Sequence, residues 1–191
     1  TCPKCGQVTK AEQCDNCQYV PTIEDMKEGI CLECGSKIVL KDNKNLYLEL
    51  SKFQKEIEKY VEENDGLWRV NAKNETNKYL KQGLVDRAVT RDLDWGVDIP
   101  VEGYENKKMY VWIEAVLGYI TATMKKCEET GRNWEEFWKE EYHPTIYMVH
   151  GKDNIVFHSI IFNALLLAMK ENYHLVNTIV SSEYLNINDE K

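Results

Sequence analysis

The last third of the chain, residues 107–191, alternates apolar strand-like segments with helical ones, and this alternation constrains the fold most. "KMYVWI", "TIYMVH" and "NTIVSS" predict strands, "EAVLGYITATMKKCEE" and "NIVFHSIIFNALLLAMK" predict helices, and "NWEEFWKEE" predicts a short helix. Apolar strands joined by helices are typical of a parallel sheet in an α/β protein. Ligands of such sheets lie beyond the carboxyl ends of the strands, where residues 112–119 and 150–158 fall.

The segment "GKDNIVFHSIIF" combines a polar entry with an apolar helix that carries one imidazole. Asp153 falls where the strand leads into the helix, so its carboxylate is placed to accept hydrogen bonds from a ribose or to cap the helix. His158 and Phe162 share a helix face because they are four residues apart. Taken singly, His158 is typical of a core histidine, and Trp112 and Tyr119 are also of types that usually lie in cores. Their coincidence at one sheet edge predicts a pocket without identifying its contents.

Six of the seven cysteines form three Cys-x-x-Cys pairs within residues 1–45: Cys2 and Cys5, Cys14 and Cys17, Cys31 and Cys34. A gap of two residues lets both thiolates point at one ion, and two pairs complete the tetrahedron that zinc prefers. Eight residues separate the first two pairs and thirteen the last two, so both adjacent combinations are geometrically possible. We favour a structural zinc site made by the first two pairs.

Three other interpretations of the cysteines stay open: reduced or disulfide-linked cysteines without metal, a thioredoxin-like redox pair, and a zinc ribbon that binds nucleic acid. No predicted strand precedes Cys2 or Cys14 to place a thiolate at a helix N-terminus, as a redox pair requires. Residues 1–45 contain six Lys against seven Asp and Glu, and the whole chain has a net charge of -8. This charge argues against a freestanding nucleic-acid binder, including a DNA binder, because phosphate contacts rely on clustered Lys and Arg.

The middle of the chain, residues 46–106, carries patterns of a packed core. "LYLELSKFQKEIEKYVEEN" predicts a short strand and then an amphipathic helix that ends near Asn64-Asp65-Gly66. A second helix is predicted from about Asn74 to Gln82, with Gly83 as its stop. "VTRDLDWGVDIP" predicts a loop held by an Arg-Asp pair.

The size of the chain fits one good core with a smaller appended module, since it has 191 residues of which 43% are hydrophobic. The longest nearly uncharged apolar run, residues 160–169, is too short to span a bilayer. The chain begins on Thr-Cys-Pro, without an initiator Met or a charged and apolar leader. We therefore expect a soluble intracellular protein without a membrane partner, and a piece of something longer.

Four motifs, "TCPKCG...QCDNC", "RDLDWGVDIP", "YVWIEAVLGY" and "GKDNIVFHS", occur in this order and resemble those of the methionyl-tRNA synthetases, a family of class I aminoacyl-tRNA synthetases. The similarity extends over the whole chain. Members of this family make methionyl-adenylate from methionine and ATP with Mg²⁺, and then transfer methionine to tRNA(Met) in the cytoplasm. The resemblance implies an α/β fold: a partial Rossmann-type parallel sheet over 107–191, with an inserted zinc-knuckle α+β module. The knuckles would occupy 1–45, and 46–106 would form the rest of this connective peptide.

The resemblance also assigns roles to residues. Five residues would line the methionine pocket: Trp112, Ala115, Tyr119, His158 and Phe162. Gly151 and Asp153 would hold the adenosine ribose. Aromatic walls suit a polarizable thioether, and the reaction needs binding and in-line positioning without a covalent nucleophile, so no catalytic triad is expected. The resemblance places the signature loops of the family outside this chain, so no catalytic residue is expected in it.

The chain departs from the family pattern at three places, which affects the expected shape of the pocket and leaves its location unchanged. Val116-Leu117-Gly118 stands where many relatives place Pro, Asn154 replaces an aliphatic residue, and Phe162 replaces Trp.

Two signature loops of the family are missing from the chain. The His-x-Gly-His signature is absent, and the Lys-x-Ser-Lys-Ser loop would begin at or just after Lys191. The resemblance thus implies that the chain is inactive by itself. In two-zinc members a further Cys-x-x-Cys precedes the position of Thr1, so Cys31 and Cys34 would be half of a second site, and one bound zinc is predicted.

Two alternatives to the synthetase interpretation stay open. The first is a zinc-ribbon interaction module fused to an α/β domain without enzymatic activity. The second is another class I synthetase, for valine, isoleucine, leucine or cysteine.

Overall fold

The structure is a computed structural model that describes residues 22–26, 29–30, 35–37 and 42–183. The chain divides into two compact units, Thr1–Lys44 and Asn45–Lys191. In the first unit, the short helix α1 (Ile23–Met26) follows Thr22, whose main-chain N–H donates to Asp25 Oδ2 over 2.7 Å. All six paired cysteines lie outside the described residues, so the zinc site stays a prediction.

The second unit begins with short antiparallel strand pairs and two helices. Strand β1 (Tyr47–Leu48) pairs with β2 (Arg87–Ala88), and β3 (Thr90–Arg91) pairs with β4 (Lys108–Met109). Between β1 and β2 the chain forms a 3₁₀ turn (Leu50–Phe53), helix α2 (Gln54–Asn64), a second 3₁₀ turn (Asp65–Leu67) and helix α3 (Val70–Gln82).

Both predicted helices of the middle segment are confirmed. Helix α2 ends at Asn64, and α3 ends at Gln82, where Gly83 adopts a φ of +82° that side chains with a Cβ rarely adopt. Helix α3 begins at Val70, earlier than the predicted start near Asn74, because buried Ala72 extends its core-facing side by one turn.

The last third of the chain contains the parallel pair of strands that its sequence pattern predicts. Its elements are helix α4 (Val111–Thr130), 3₁₀ turns at Trp134–Phe137 and Glu140–Tyr142, strand β5 (Tyr147–Gly151), a 3₁₀ turn (Lys152–Asn154), a π-helical turn (Phe157–Ile161), helix α5 (Phe162–Met169) and strand β6 (Thr178–Ser182). Strands β5 and β6 run parallel, with Met148 opposite Ile179 and Gly151 opposite Ser182. The predicted order of strand, helix and parallel strand is confirmed here.

The prediction of a strand over "KMYVWI" is wrong for most of its length. Only Lys108 and Met109 form a strand, which pairs antiparallel with β3 and does not join β5 and β6. The continuous apolar run from Met109 to Ile113 fits a strand or a helix, and the helix forms because Ile113, Val116 and Ile120 recur at helical spacing and all three are buried. Helical packing of this face therefore begins at Val111, and Trp112 lies in the first turn of α4.

Residues 46–106 and 107–183 pack into one unit. Trp68 Nε1 donates to Asn177 O over 2.9 Å, and Asn71 Nδ2 donates to Ser181 O over 3.1 Å. The first turn of α3 and the residues just before it are therefore hydrogen-bonded to β6 and to Asn177, which precedes β6. The predicted boundary near residue 106 lies within this unit and stays a prediction.

One helical segment of the described chain, Lys152–Met169, is long and apolar enough to cross a membrane by length and composition. Half of it is buried inside the structure. Ile155, Ile160 and Phe162 are fully buried in the same core as Ile57 of α2. We therefore interpret the segment as a core helix.

Candidate functional site

One face of helix α4 carries three of the predicted pocket residues. Trp112, Ala115 and Tyr119 are spaced by three and four residues, so they lie on the same side of the helix. All three are exposed, whereas Ile113 and Val116 on the adjoining side of the helix are buried in the core. Burial of the apolar side thus fixes the rotation of α4 and leaves the predicted pocket residues accessible.

Tyr119 meets the π-helical turn and helix α5 through two contacts. Its hydroxyl lies 2.9 Å from His158 Nε2, and its ring packs edge-on against Phe162 with centroids 6.1 Å apart. Phe162 is fully buried, and Trp138 packs edge-on behind it at 5.9 Å. Tyr119, His158 and Phe162 therefore form one contact group, in which Tyr119 supplies the accessible surface.

The hydrogen bonds of His158 fix its tautomer. Its Nδ1 lies 2.8 Å from the carbonyl oxygen of Asn154, which can only accept, so Nδ1 carries the proton. In the neutral ring Nε2 then accepts the hydrogen bond that the Tyr119 hydroxyl donates. Burial lowers the pKa of His158 below its ordinary value, the bond to Asn154 opposes this shift, and the neighbouring His150 charge lowers the pKa further. The lowered pKa favours a neutral imidazole beside the Tyr119 hydroxyl at neutral pH.

His150, near the end of β5, stacks on His158 and is missing from the site predicted by the sequence. The two imidazole centroids are 4.3 Å apart with an interplanar angle of 21°. His150 Nδ1 donates to the carbonyl oxygen of Gly151 over 2.9 Å, and its Nε2 has no hydrogen-bond partner in the described part of the chain. Burial lowers the pKa of His150 as well. A second imidazole at the carboxyl end of a predicted strand is the signal that could have identified it.

Gly151 and Asp153, to which the resemblance assigns the ribose, lie at the carboxyl end of β5. Both are exposed, and a Cβ added to Gly151 would meet no atom within 4 Å, so the strand end is open. Lys152 forms an ion pair of 2.8 Å with Glu183 directly after β6, which joins the turn to the neighbouring strand. The turn also provides the carbonyl of Asn154 that orients His158.

Not all of the predicted methionine-side residues touch each other. Trp112 contacts Phe157, one residue before His158, with ring centroids 5.5 Å apart. Ala115 lies between Trp112 and Tyr119 on the exposed face of α4. The aromatic surface therefore continues along α4 from Tyr119 to Trp112.

The described residues contain no group of three or more His, Cys, Asp or Glu side chains that could hold a metal ion. Cys127, on α4, is a buried free thiol. The six cysteines of the predicted knuckles and Lys191 lie outside the described residues.

Comparison with known proteins gives consistent matches. The family described as tRNA synthetases class I (M) matches residues 1–191. Methionine–tRNA ligase 1 of Alkaliphilus oremlandii is 46% identical over 191 residues, and the methionine–tRNA ligase of Bacillus mycoides is 47% identical over 192 residues. Each alignment covers 100% of this chain and 35% of the relative, so the chain spans about a third of the length of these curated relatives.

Solved structures support the same fold. Mycobacterium tuberculosis methionyl-tRNA synthetase bound by methionyl-adenylate matches with a TM-score of 0.62 and 23% identity, over 82% of this chain and 30% of that one. The free enzyme matches with a TM-score of 0.61 and 23% identity, over 81% of this chain and 29% of that one. The mixture of helices and strands thus corresponds to the Rossmann-type domain of a class I synthetase. Because the family match extends over every residue, the chain belongs to the methionyl-tRNA synthetase family of the class I tRNA synthetases.

Proposed function

We propose that the chain is part of an ATP-dependent methionine–tRNA ligase, in which it binds the methionine side chain and the adenosine ribose. The observation that carries this proposal is the hydrogen-bonded pair of Tyr119 and His158, set in an aromatic surface of a chain that belongs to this family. Methionine, ATP with Mg²⁺ and tRNA(Met) are the proposed substrates, and the cytoplasm is the proposed location.

The methionine side chain binds against the exposed rings of α4 in this proposal. Trp112 and Tyr119 are 44% and 43% exposed, whereas His158 is 4% exposed and Phe162 fully buried. Trp112, Ala115 and Tyr119 therefore form the accessible wall, and His158 and Phe162 back it. Sulfur–aromatic contacts of about 0.3–1.5 kcal/mol each favour a thioether on such a surface.

The uncharged state of His158 contributes to selectivity. A neutral Tyr–His pair offers lone pairs and a hydroxyl without a formal charge, which suits a polarizable and uncharged sulfur. Charged side chains would lose their hydration against this wall without gaining an ion pair. A substrate that lacks one methylene in an apolar pocket loses roughly 10–200-fold in kcat/KM. Apolar amino acids are therefore discriminated from methionine mainly by how well their side chains fill the site.

The adenosine ribose binds at the carboxyl end of β5. Asp153 presents a carboxylate that accepts hydrogen bonds from ribose hydroxyls, and Gly151 lets the sugar approach the main chain because no side chain intervenes. The ribose site then lies at Gly151 and within the turn Lys152–Asn154, and the methionine site lies beyond this turn, at His158. In the complete ligase, this arrangement would bring methionine and ATP side by side, so that positioning promotes in-line attack.

Further parts of the ligase would be supplied by segments that the relatives have and this chain does not cover. One face of β5 supports this, because Tyr147 and Val149 are 62% and 76% exposed while Met148 between them is buried. An apolar strand face of this kind is usually covered by other elements of an α/β fold. The chain alone is accordingly proposed to be inactive.

Zinc is proposed as a structural ion, held by two knuckles in residues 1–45. The donor set fits this metal, because two Cys-x-x-Cys pairs supply the four thiolates of a closed tetrahedral site: Cys2, Cys5, Cys14 and Cys17. When bound, the ion crosslinks the knuckles and leaves no open position for chemistry. Cys31 and Cys34 are proposed as half of a second site.

The proposal is tested by amino-acid-dependent pyrophosphate exchange with the full-length protein. We expect exchange with methionine that exceeds exchange with valine, isoleucine, leucine and cysteine at equal concentration. Preference for one of those four would assign the chain to another class I activity. Absence of exchange with all five amino acids would favour a non-enzymatic zinc-binding module.

A further inference from the structure

Asn163 is a fully buried amide in the apolar helix that carries His158, and nothing in the proposed binding site involves it. Its side chain makes three hydrogen bonds to main-chain groups. Nδ2 donates to the carbonyl oxygens of His158 over 2.9 Å and Ser159 over 3.1 Å, and Oδ1 accepts from the N–H of Val176 over 3.0 Å. The partners fix the orientation of the amide, because carbonyls only accept and an N–H only donates.

These bonds lie where the helix departs from α geometry. In the π-helical turn, the N–H of Phe162 donates to the carbonyl of Phe157, five residues back, and not to that of His158, four residues back. The main-chain donor that an α-helix would provide to His158 is therefore displaced. The amide of Asn163 supplies a donor to that same carbonyl, so it stabilises the π turn against the α alternative.

The π turn is also held from the opposite side. Thr76 of α3 donates to the hydroxyl of Ser159 over 2.8 Å, and both residues are fully buried. The main chain at His158 and Ser159 is thus tied to α3 through Thr76 and to the segment before β6 through Asn163. Single π turns within helices occur often at functional sites, and here the turn carries the imidazole of the candidate pocket.

We propose that Asn163 is a positioning residue, which keeps the π turn in register and so holds the His158 imidazole against the Tyr119 hydroxyl. Without the amide, the helix is more stable when the Phe162 N–H forms the α-helical hydrogen bond to the His158 carbonyl. That shift of one residue rotates the preceding turn by roughly 100° relative to α5, because an α-helix has 3.6 residues per turn. His158 then no longer faces Tyr119. The expected effect on methionine binding rests on the proposed function, whereas the positioning of His158 by Asn163 does not.

The first experiment measures the position of His158 directly. Asn163→Leu removes the amide and keeps a side chain that branches at the same carbon. The full-length protein is labelled with ¹⁵N-histidine, with His158→Gln used to assign the signal. In the unaltered protein we expect His158 to show one tautomer protonated at Nδ1, with Nε2 as acceptor. In Asn163→Leu we expect a shift of the Nε2 signal and an averaged tautomer.

Asn177→Leu is the matched control. The Asn177 side chain also joins two main-chain segments, since its Oδ1 accepts from the N–H of Ile146 over 2.7 Å and contacts His174 Nε2 at 3.1 Å. It lies at the amino ends of β5 and β6, away from the π turn. Both leucine variants are expected to be less stable than the unaltered protein, but only Asn163→Leu should change the His158 signals.

The second experiment measures the KM for methionine and for ATP in pyrophosphate exchange. We expect Asn163→Leu to raise the KM for methionine about tenfold or more, with the KM for ATP within about twofold, because displacement of a binding group by about 1 Å costs up to roughly 100-fold. Asn177→Leu should leave both constants within about twofold.

The outcomes separate this inference from the proposed function. Unchanged His158 signals in Asn163→Leu, or equal effects of the two leucine variants on the methionine KM, would overturn the positioning role. Lack of methionine-dependent exchange in the unaltered protein would refute the proposed function, and the ¹⁵N experiment would still decide the positioning role. If Asn163→Leu does not fold, Asn163→Ser, which also removes the amide, repeats both measurements.

Discussion

Replacement of Tyr119 by Phe removes one hydroxyl from the candidate pocket and tests how the thioether is recognised. The hydroxyl donates to His158 Nε2 over 2.9 Å, and His158 is 4% exposed. Leaving a buried acceptor without its donor lowers the free energy of unfolding by about 1–3 kcal/mol. An average intramolecular hydrogen bond contributes a net of roughly 0.5–1.5 kcal/mol to that free energy. Because Tyr119 is 43% exposed, water can enter the gap, and we expect a loss of about 1 kcal/mol in the free energy of unfolding.

The same change is expected to weaken methionine activation more than ATP binding. Without its partner, His158 is held only by the hydrogen bond to Asn154 and the stacking on His150, so its imidazole is less ordered before methionine binds. A loss of about 1–1.4 kcal/mol corresponds to a decrease of roughly fivefold to tenfold in kcat/KM for methionine. We expect the KM for ATP to stay within about twofold, since the ribose side at Gly151 and Asp153 does not contact the Tyr119 hydroxyl in this proposal.

The assay combines pyrophosphate exchange with urea unfolding of the full-length protein. Tyr47→Phe is the matched control, because it removes a hydroxyl from a tyrosine on β1 that is 57% exposed. The control should leave both kinetic constants and the unfolding midpoint unchanged. Equal decreases in kcat/KM for methionine and for ATP in Tyr119→Phe, or the same decrease in Tyr47→Phe, would refute the assigned role of the hydroxyl.

Three further predictions concern pH, zinc and the buried hydroxyl pair. The pKa values of His150 and His158 lie below 6.5 in the folded chain, so the unfolded chain binds more protons just below that pH. The free energy of unfolding should therefore fall as pH decreases from neutral through 6.5 toward the lowered pKa values. Urea titrations at several pH values should show a smaller decrease in His158→Gln than in the unaltered protein. An equal decrease in the two proteins would contradict the prediction. Cys14→Ser should lose zinc, measured by metal analysis of this chain purified alone, whereas Cys31→Ser should keep it; loss of zinc in both variants would assign the site to the last two pairs. Thr76→Val and Ser159→Ala should each lower the free energy of unfolding by about 1–3 kcal/mol, because each leaves the other buried hydroxyl unpaired. The double variant should lose less than the sum of the two single losses. Strict additivity of these losses in urea unfolding would mean that the two hydroxyls do not interact.

Periodicity predicted the elements whose packing depends on one buried face. Helix α2 follows from Ile57, Tyr60 and Val61, which recur at helical spacing and are all buried. Strands β5 and β6 follow from short apolar runs on either side of a helix, and they pair in parallel as expected. In these segments local pattern and tertiary packing favour the same structure.

Periodicity failed where an apolar segment satisfied two patterns. From Met109 to Ile113 every residue is apolar or aromatic, a run that fits a buried strand or a helix, and the buried helical face that includes Ile113 and Val116 decides the outcome. The pattern of a short apolar segment does not distinguish these possibilities, because the deciding contacts lie in distant parts of the chain.

The contacts within the candidate site were predicted only in part. Spacing placed His158 and Phe162 on one face and Tyr119 at the same sheet edge, but the hydrogen bond between Tyr119 and His158 joins residues 39 positions apart. The stacking of His150 on His158 depends on how the strand end meets the π turn, and a π turn in an apolar run leaves little trace in sequence periodicity.

The polar residues of the core helix show how fold and site depend on each other. His158, Ser159 and Asn163 are the polar side chains between Phe157 and Met169, and all three are buried, a costly state without partners. Each has its partner in another part of the chain: α4 for His158, α3 for Ser159, and the segment before β6 for Asn163. The three partners fix the rotation and register of the helix more narrowly than its apolar residues can, because an apolar surface packs acceptably in several registers whereas a hydrogen bond requires one. A helix that must present an imidazole at one point of a pocket therefore gains from buried polar neighbours that a purely apolar core helix would not need.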